Sequence, residues 1–184
     1  MKLSKKGEYA LRALIDLGIA ASVGRELVRV SEIAEKEKMS VKFLEQVMLQ
    51  LREAGFVESE RGKFGGYRLA RPSSKIYLGE IVRLIDGPLA PIGCVSQTAY
   101  TPCSCPDEAH CGLRMVMLDV RNAIAGILDR YSLAQIVEVT TRKLRRDGQA
   151  LPFSQPPARS ASAENRTRRL HDGILDELQE EYSI

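Results

Sequence analysis

Three consecutive amphipathic segments in the first 54 residues place the strongest constraint on what this chain can fold into. Apolar residues recur every three or four positions in 4–22, in a short second stretch with Ser31 as its expected N-cap, and in 40–54. A break at Met39-Ser40 separates the second segment from the third. Two helices joined by a tight turn, with a first helix in support, form a helix-turn-helix, and we expect that motif here.

The hydrophobic period changes directly after the third helix. Short β-prone runs at 56–58 and 67–69 flank a glycine-rich turn at 62–66, which predicts a β-hairpin. A hairpin behind a helix-turn-helix, with Arg61 and Arg68 at its flanks, is typical of the wing of a winged-helix domain. The expected fold class is therefore mainly α with a small β-hairpin: a winged helix-turn-helix domain followed by a long dimerisation helix.

Helical patterns return after the hairpin. Residues 77–86 form one short pattern that a Gly-Pro pair closes, and 112–130 form the longest pattern of the chain, about 28 Å in length. The apolar stripe of this long helix comprises Leu113, Val116, Met117, Val120, Ile124, Ile127 and Tyr131, widened by Leu118 and Leu128. Such a stripe is too large for a small wing domain to cover, so we expect a homodimer, although the following helix offers an alternative cover. Ser132 and Gln135 match a capping box that begins this following helix.

These patterns divide the chain into four parts. Residues 1–76 are expected to form the winged helix-turn-helix domain, and 77–111 a linker helix with a cysteine-rich sensor loop. Residues 112–146 are expected to form the dimerisation helices. The segment 147–184 is rich in Pro, Ser, Ala and Arg, which predicts a disordered tail with a possible short helix at 167–182.

Composition limits the classes of function. Lys and Arg outnumber Asp and Glu by 14 to 10 in residues 1–71, so the basic excess lies in the expected DNA-binding part. No stretch approaches 18 apolar residues, and acidic and basic residues interrupt the apolar N-terminus; we therefore expect a cytoplasmic protein with no membrane contact. No catalytic dyad, nucleotide-binding loop or carboxylate pair stands out, which predicts no enzyme and no small-molecule substrate.

Several side chains have the chemistry for reading double-stranded DNA. Gln bonds adenine and Glu accepts from cytosine, so the outward polar side chains of the third helix suit base edges in the major groove. Arg61 in the hairpin suits a narrow minor groove, and the first helix offers hydroxyls and amines to phosphates. The expected DNA-binding residues are Ser4, Lys5, Lys6, Tyr9, Ser40, Lys42, Phe43, Glu45, Gln46, Gln50, Arg61, Gly62, Lys63, Gly65, Gly66 and Tyr67.

All four cysteines lie within 18 residues of a proline-rich loop, at Cys94, Cys103, Cys105 and Cys111. In a reducing compartment such thiols are more often metal ligands or redox groups than disulfides. Iron–sulfur clusters are bound by thiolates, whereas structural zinc sites usually show Cys-x2-Cys pairs, which are missing here. Cys111 directly precedes the long helix, whose positive N-terminal end favours a thiolate and an anionic cluster.

Several motifs make the chain similar to a known family. The start LSKKGEYALRAL, FLEQ at 43–46, AGFV at 54–57, ERGKFGGYRLA at 60–70 and the segment leading to GPLAPIGC resemble the IscR/NsrR/CymR-type family of winged-helix transcription regulators. The resemblance covers about residues 1–146. It implies a homodimer on a pseudo-palindromic operator, with the third helix in the major groove, Arg61 in the minor groove, and the dimer helix exchanged across the two-fold axis.

The resemblance also implies a cofactor. Family members that sense through an iron–sulfur cluster, 2Fe-2S or 4Fe-4S, carry three cysteines in this loop, commonly with five residues between neighbours. Cys105 and Cys111 match the last spacing and Cys94 the first ligand, while Cys103 is an addition that leaves the middle ligand open. Arg114 stands where some relatives have a ligand histidine, and His110 is a lone loop histidine, a class more often solvated than metal-bound.

Besides a transcription regulator whose operator affinity is controlled by such a cluster, three other functions remain open from the sequence. The first is a metal-free, thiol-based regulator, as in the cysteine-metabolism branch of the family. The second is a redox or electron-transfer protein that uses the cysteines directly, which leaves the helix-turn-helix unexplained. The third is a scaffold that takes a cluster or metal and has lost DNA binding.

Overall fold

The structure is a computed structural model that describes residues 2–62 and 64–154. The described residues form six α-helices and one two-stranded antiparallel sheet. In chain order these elements are α1 (Lys5–Ser22), α2 (Val30–Glu37), α3 (Val41–Glu53), β1 (Val57–Glu60), β2 (Gly66–Leu69), α4 (Leu78–Asp86), α5 (Gly112–Arg130) and α6 (Leu133–Arg146). Short 3-10 turns lie at Ser73–Lys75 and Gly93–Val95. The expected fold class is confirmed.

Polar side chains set where the helices begin. The Ser4 hydroxyl accepts from Gly7 N at 3.0 Å and so caps α1, and Ser132 forms the predicted capping box at the start of α6. The expectation that Ser31 caps α2 is wrong. The N-cap is Arg29, two residues earlier, and the Glu32 carboxylate accepts from the Arg29 backbone N–H at 2.9 Å, which satisfies a terminal donor without a serine.

A short pairing outside the hairpin fixes the wing to the body. β1 and β2 pair antiparallel, with Val57 opposite Leu69. Beyond them, Tyr67 N donates to Val28 O at 2.8 Å and Val28 N donates to Tyr67 O at 3.0 Å. Gly66 makes this approach possible, because a Cβ at that position would lie 2.7 Å from Val28 O. The hairpin is therefore held at its base and projects from there.

The hydrophobic core is shared between the helix-turn-helix and the helices that follow it. Its fully buried side chains include Leu14 of α1, Leu44 of α3, Ile81 of α4 and Leu133 of α6. Gly18 of α1 leaves room for α6, since a Cβ there would lie 2.5 Å from a methyl carbon of Val137. Helices α4 and α6 thus pack directly on α1.

The long helix α5 stands apart from this core, and none of its residues is buried. Five of its large apolar side chains are exposed: Leu113, Met115, Val116, Val120 and Ile127. A two-pronged ion pair ties its C-terminal end to α4, with Arg83 Nη1 and Nη2 at 2.6 and 2.7 Å from the two carboxylate oxygens of Asp129. In the described residues, α6 does not cover the apolar stripe of α5.

The expected disordered tail begins in the described part of the chain. After α6, Phe153 packs against the core, and the Arg25 guanidinium lies 5.8 Å from its ring centroid. The short helix expected at 167–182 lies outside the described residues.

Candidate functional site

The helix α3 exposes a polar face beside the wing. Lys42, Glu45 and Gln46 are exposed, as is the apolar Leu49. Ser40 lies at the N-cap, where its hydroxyl accepts from Phe43 N at 3.5 Å. The first turn of α3 and its exposed face therefore offer hydroxyl, amine, carboxylate and amide groups together.

The expectation that Gln50 faces outward is wrong. Its side chain is half-buried, and Nε2 donates to the backbone carbonyl of Leu84 in α4 at 3.1 Å. A helical position on the border of the apolar face can turn a polar side chain inward when a free carbonyl accepts its hydrogen bond. Gln50 therefore links α3 to α4 and is not part of the exposed polar face of α3.

The start of α1 lies close to the start of α3. The Tyr9 and Phe43 rings contact edge to face, with centroids 5.5 Å apart, and both are half-buried. Lys5 is exposed and ion-paired with Glu8 at 2.7 Å, and Lys6 is half-buried. Of the predicted phosphate-binding residues, Lys5 thus presents a charge at the surface, while Tyr9 is largely a packing residue.

The turn of the wing projects Arg61 into solvent. Gly62 has a φ of +117°, a backbone conformation that only glycine adopts readily. The backbone N–H of Gly65 donates a hydrogen bond to Gly62 O at 3.0 Å across the turn. Gly65 has no room for a Cβ, because backbone atoms of Glu60 and Arg61 already lie against it. The predicted wing glycines therefore shape the turn. Lys63 lies outside the described residues.

The last turn of α4 joins α1 and α3 to the cysteine loop. Asp86, its final residue, accepts from Ser4 N at 3.0 Å and also from the Ser4 hydroxyl. Leu84, two residues earlier, accepts from Gln50 of α3. Gly87, with a φ of +85°, then ends the helix and begins the loop. Neither side-chain link was visible in the sequence, since each joins residues more than 30 positions apart.

The four cysteines of the loop are free thiols in different environments. Cys94 is buried in the 3-10 turn after α4, Cys103 and Cys111 are half-buried, and Cys105 is exposed. Burial, reinforced by the neighbouring Cys103, raises the pKa of the Cys94 thiol. Interaction with Cys105 lowers the pKa of Cys103, and the same contact raises the pKa of Cys105 to about 11.

A carboxylate that sequence reasoning missed lies among these thiols. Glu108 accepts from the Tyr100 hydroxyl at 2.8 Å and from Arg114 Nε at 3.0 Å, and the Cys103 Sγ lies 4.0 Å from its Oε2. His110 is instead turned to Asp107, with Nδ1 2.7 Å from the carboxylate. Arg114, which stands at the position of a possible ligand in relatives, therefore orders the loop through Glu108.

The donor set suits an iron–sulfur cluster. Within residues 2–62 and 64–154, no three His, Cys, Asp or Glu side chains already stand in a metal-holding arrangement. The thiols nevertheless lie close enough to shift pKa values along the loop. Cys103 raises the pKa of Cys94, Cys103 and Cys105 shift each other's pKa, and Cys111 adds to the raised pKa of Cys105. Soft sulfur donors gathered in one loop are the ligands that iron–sulfur clusters take. The residues present therefore fit the group.

Comparison with known proteins decides the family. The model of the Rrf2 family, described as an iron-dependent transcriptional regulator, matches residues 3–139. The chain belongs to the Rrf2 family. An rrf2-like protein of Rhodobacter capsulatus, named as a transcriptional regulator of the helix-turn-helix type, is 38% identical over 137 residues, which cover 73% of this chain and 91% of that protein.

Other proteins similar to this chain carry two different names. The regulator IscR of Cereibacter sphaeroides is 46% identical over 86 residues, 47% of this chain and 56% of its own length. Among solved structures, CymR of B. subtilis, titled the global cysteine regulator, has a TM-score of 0.64 at 29% identity and covers 76% of this chain and 98% of its own. The IscR of T. potens has a TM-score of 0.61 at 30% identity, over 78% and 90%.

The family membership settles the class of protein. Rrf2 proteins are transcriptional regulators, so the chain is a regulator of the winged-helix fold and not an enzyme, as the sequence predicted. Within the described part of the chain, no helix has the length and apolar character that crossing a bilayer requires.

Proposed function

We propose that this Rrf2-family regulator is a cytoplasmic homodimer that binds an operator in double-stranded DNA and represses transcription from it. In each half-site, α3 lies in the major groove with Ser40, Lys42, Glu45 and Gln46 toward the bases. Arg61 enters the neighbouring minor groove. The observation that carries this proposal is the exposed polar face of α3 together with the exposed Arg61 of the wing, which lines one cleft with Arg52 near the end of α3.

The apolar face of α5 supports the homodimer. Leu113, Val116 and Val120 follow one another at helical spacing, and all are exposed in the single chain. Apolar side chains in such a stripe are stabilised by burial against a second copy. A two-fold dimer repeats α3 about one helical turn of DNA away, which matches a pseudo-palindromic operator.

The cysteine loop is proposed as the sensor. Cys94, Cys105 and Cys111 are the proposed ligands of an iron–sulfur cluster, with Cys103 as the other candidate for the middle position. When bound, the cluster supplies an iron centre that responds to redox state and to iron supply. The chain's own contribution is to hold thiols from the end of α4 and the start of α5 in one loop.

The last turn of α4 is the proposed route from sensor to DNA. Its end is bonded to α1 through Asp86 and Ser4 and to α3 through Leu84 and Gln50. A loop that changes the position of Gly87 therefore moves both DNA-facing helices. Two recognition helices must match half-sites about 34 Å apart, so small shifts alter operator affinity.

The experiment that tests DNA binding selects genomic fragments with the purified protein at fixed salt and then titrates the enriched sequence. Arg61→Ala should lower operator affinity by about tenfold and relax the preference at the minor-groove position. Arg145→Ala, an exposed change in the last turn of α6, is the matched control and should leave binding unchanged. Unselective binding by the wild type, or equal behaviour of the two variants, contradicts the proposal.

A second function has an observation in its favour. The four cysteines are free thiols, and contact with Cys105 lowers the pKa of Cys103, which favours its thiolate; both support a metal-free, thiol-based regulator. Iron and sulfide assays on protein purified without oxygen separate the two. An iron-free protein that binds its operator and loses it when Cys103 is oxidised favours the thiol regulator.

A further inference from the structure

A cleft of about 360 Å³ lies at the root of the wing, where three parts of the chain meet. Its walls come from the residues that begin α2, from the end of α3, and from both strands of the hairpin. Three arginines line it, one from each part: Arg29, Arg52 and Arg61. Nothing in the sequence pattern indicates a role for Arg29 or Arg52.

The charge in this cleft is positive. Glu60 is the one acidic residue among those that line it, and its carboxylate is already ion-paired with Arg68 of β2. Arg52 is exposed, and its Nη1 lies 3.4 Å from the Ser59 hydroxyl, a weak contact at the limit of hydrogen-bonding distance. A guanidinium group is always charged at neutral pH and presents paired donors that match a phosphate.

The position of the cleft indicates which phosphate it meets. Arg52 lies on the exposed face of α3, seven residues after Glu45, and Arg61 projects from the wing. With α3 in the major groove and Arg61 in the next minor groove, the backbone strand between the two grooves crosses the surface that joins α3 to the wing. The cleft lies on that surface.

We propose that this cleft binds a backbone phosphodiester of the operator, held by Arg29 and Arg52, on the strand that separates the two occupied grooves. The inference rests on the proposed DNA-binding function and adds to it a contact that sets register without reading sequence. Phosphate contacts position a protein on the duplex, whereas base contacts specify the site.

Charge-removing variants test this contact. Arg29→Gln and Arg52→Gln should each weaken binding about tenfold on the operator and on unrelated duplexes alike, with the rank order of sequences unchanged. The slope of log affinity against log salt should fall by about 1 for the lost phosphate contact. The control is the double variant Lys75→Gln/Arg145→Gln, which removes two exposed positive charges away from the wing and should change neither quantity.

A scan of the operator with single methylphosphonates, each of which neutralises one phosphate, locates the partner. One position per half-site should weaken wild-type binding and have no further effect on the Arg29→Gln/Arg52→Gln variant. If the melting temperature of the Arg29→Gln/Arg52→Gln variant is lower than that of the control double variant, the two single variants and the wild-type scan test the same contact.

The other results overturn the proposal in distinguishable ways. Affinity equal to the control, or a changed sequence preference, excludes a phosphate contact while leaving DNA binding intact. The DNA-free protein could instead bind inorganic phosphate saturably and lose this binding in the Arg29→Gln/Arg52→Gln variant, while no methylphosphonate position affects DNA binding. That result assigns the cleft to a free anion. A wild type that binds no DNA removes the proposed function itself and this contact with it.

Discussion

Asp86 and Ser4 are joined by two hydrogen bonds, one from the Ser4 backbone N–H at 3.0 Å and one from its hydroxyl. Ser4 caps the first helix, and Asp86 is the last residue before the loop that carries the cysteines. The same carboxylate lies against Gly7, where a Cβ would have no room. The N-terminus of α1 is therefore fixed to the end of α4, where the cysteine loop begins and where α3 is also bonded through Gln50.

Replacing Asp86 tests this junction. Asp86→Ala should lower the free energy of unfolding by about 1 kcal/mol, because two hydrogen bonds to a half-buried carboxylate are lost. For a chain of this size the melting temperature should fall by about 2–4 °C. The difference in operator affinity between the iron-loaded and iron-free protein should also narrow. Glu26→Ala, which removes a carboxylate from an exposed loop, is the control; equal behaviour of the two variants contradicts the role given to Asp86.

The Arg83–Asp129 ion pair connects α4 to α5, and a double-mutant cycle measures its strength. Both side chains are at least one-third exposed, so Arg83→Ala, Asp129→Ala and the double variant should give an interaction energy of about 0.5–1 kcal/mol. The hydrogen bond from Arg83 lowers the pKa of Asp129. This contribution is therefore present above the unfolded-state pKa of the carboxyl and is lost as pH falls through the folded-state pKa. An interaction energy that is constant down to strongly acidic pH contradicts this assignment.

The apolar face of α5 predicts the oligomeric state. Val116→Asp or Val120→Asp should weaken dimerisation by at least roughly a hundredfold, because burying an unpaired carboxylate is costly. Sedimentation equilibrium should then show monomers at concentrations where the wild type is dimeric. Asn122→Asp places the same charge at an exposed position elsewhere on the helix and should leave the dimer intact. Wild-type monomers, or dimers of the Val120→Asp variant, exclude this interface.

The buried Asp16 predicts a dependence of stability on pH. Burial raises its pKa to about 7, although Lys36 Nζ lies 2.6 Å from one carboxylate oxygen and opposes the shift; Glu37 adds to it. Because the folded state holds this proton more tightly than the unfolded state, the contribution of Asp16 to stability is fully present below about pH 4. It falls as pH rises toward 7.

Asp16→Asn should remove that decline. Unfolding titrations with urea at pH 4.5, 6 and 7.5 measure it, and Glu35→Gln, an exposed change on α2, is the control that should retain the wild-type slope. A stability profile of Asp16→Asn parallel to that of the wild type shows that Asp16 is ionised throughout this range.

The sequence predicted the elements that depend on local chemistry. Ser132 and Gln135 placed the start of α6 because a capping box is a pattern of neighbours. The apolar stripe of α5 likewise gave Gly112–Arg130 as one helix. Helical spacing shows which residues share one face of a helix. Where many apolar residues share a face, as in α5, the spacing predicts the helix and its apolar face correctly.

Long-range pairing could not be predicted in this way. Three contacts join residues that are distant in sequence: the Val28–Tyr67 bridge, the hydrogen bond from Gln50 to Leu84, and the hydrogen bonds from Ser4 to Asp86. Polar side chains usually prefer solvent, which predicts an outward-facing Gln50. The hydrogen bond to the backbone carbonyl of Leu84 turns this side chain inward instead. Arg29 and Arg52 gained a proposed role only when the fold brought them to one cleft with Arg61.

In the proposed mechanism, the state of the cysteine loop sets operator affinity. Fluorescence anisotropy with the selected operator, performed without oxygen on protein with assayed iron and sulfide, measures this dependence. The iron-loaded and iron-free forms of the wild type should differ in affinity by at least tenfold, and Cys111→Ser should bind with the iron-free affinity under both conditions. Equal affinity of the two wild-type forms, with iron and sulfide present in one of them, contradicts the claim.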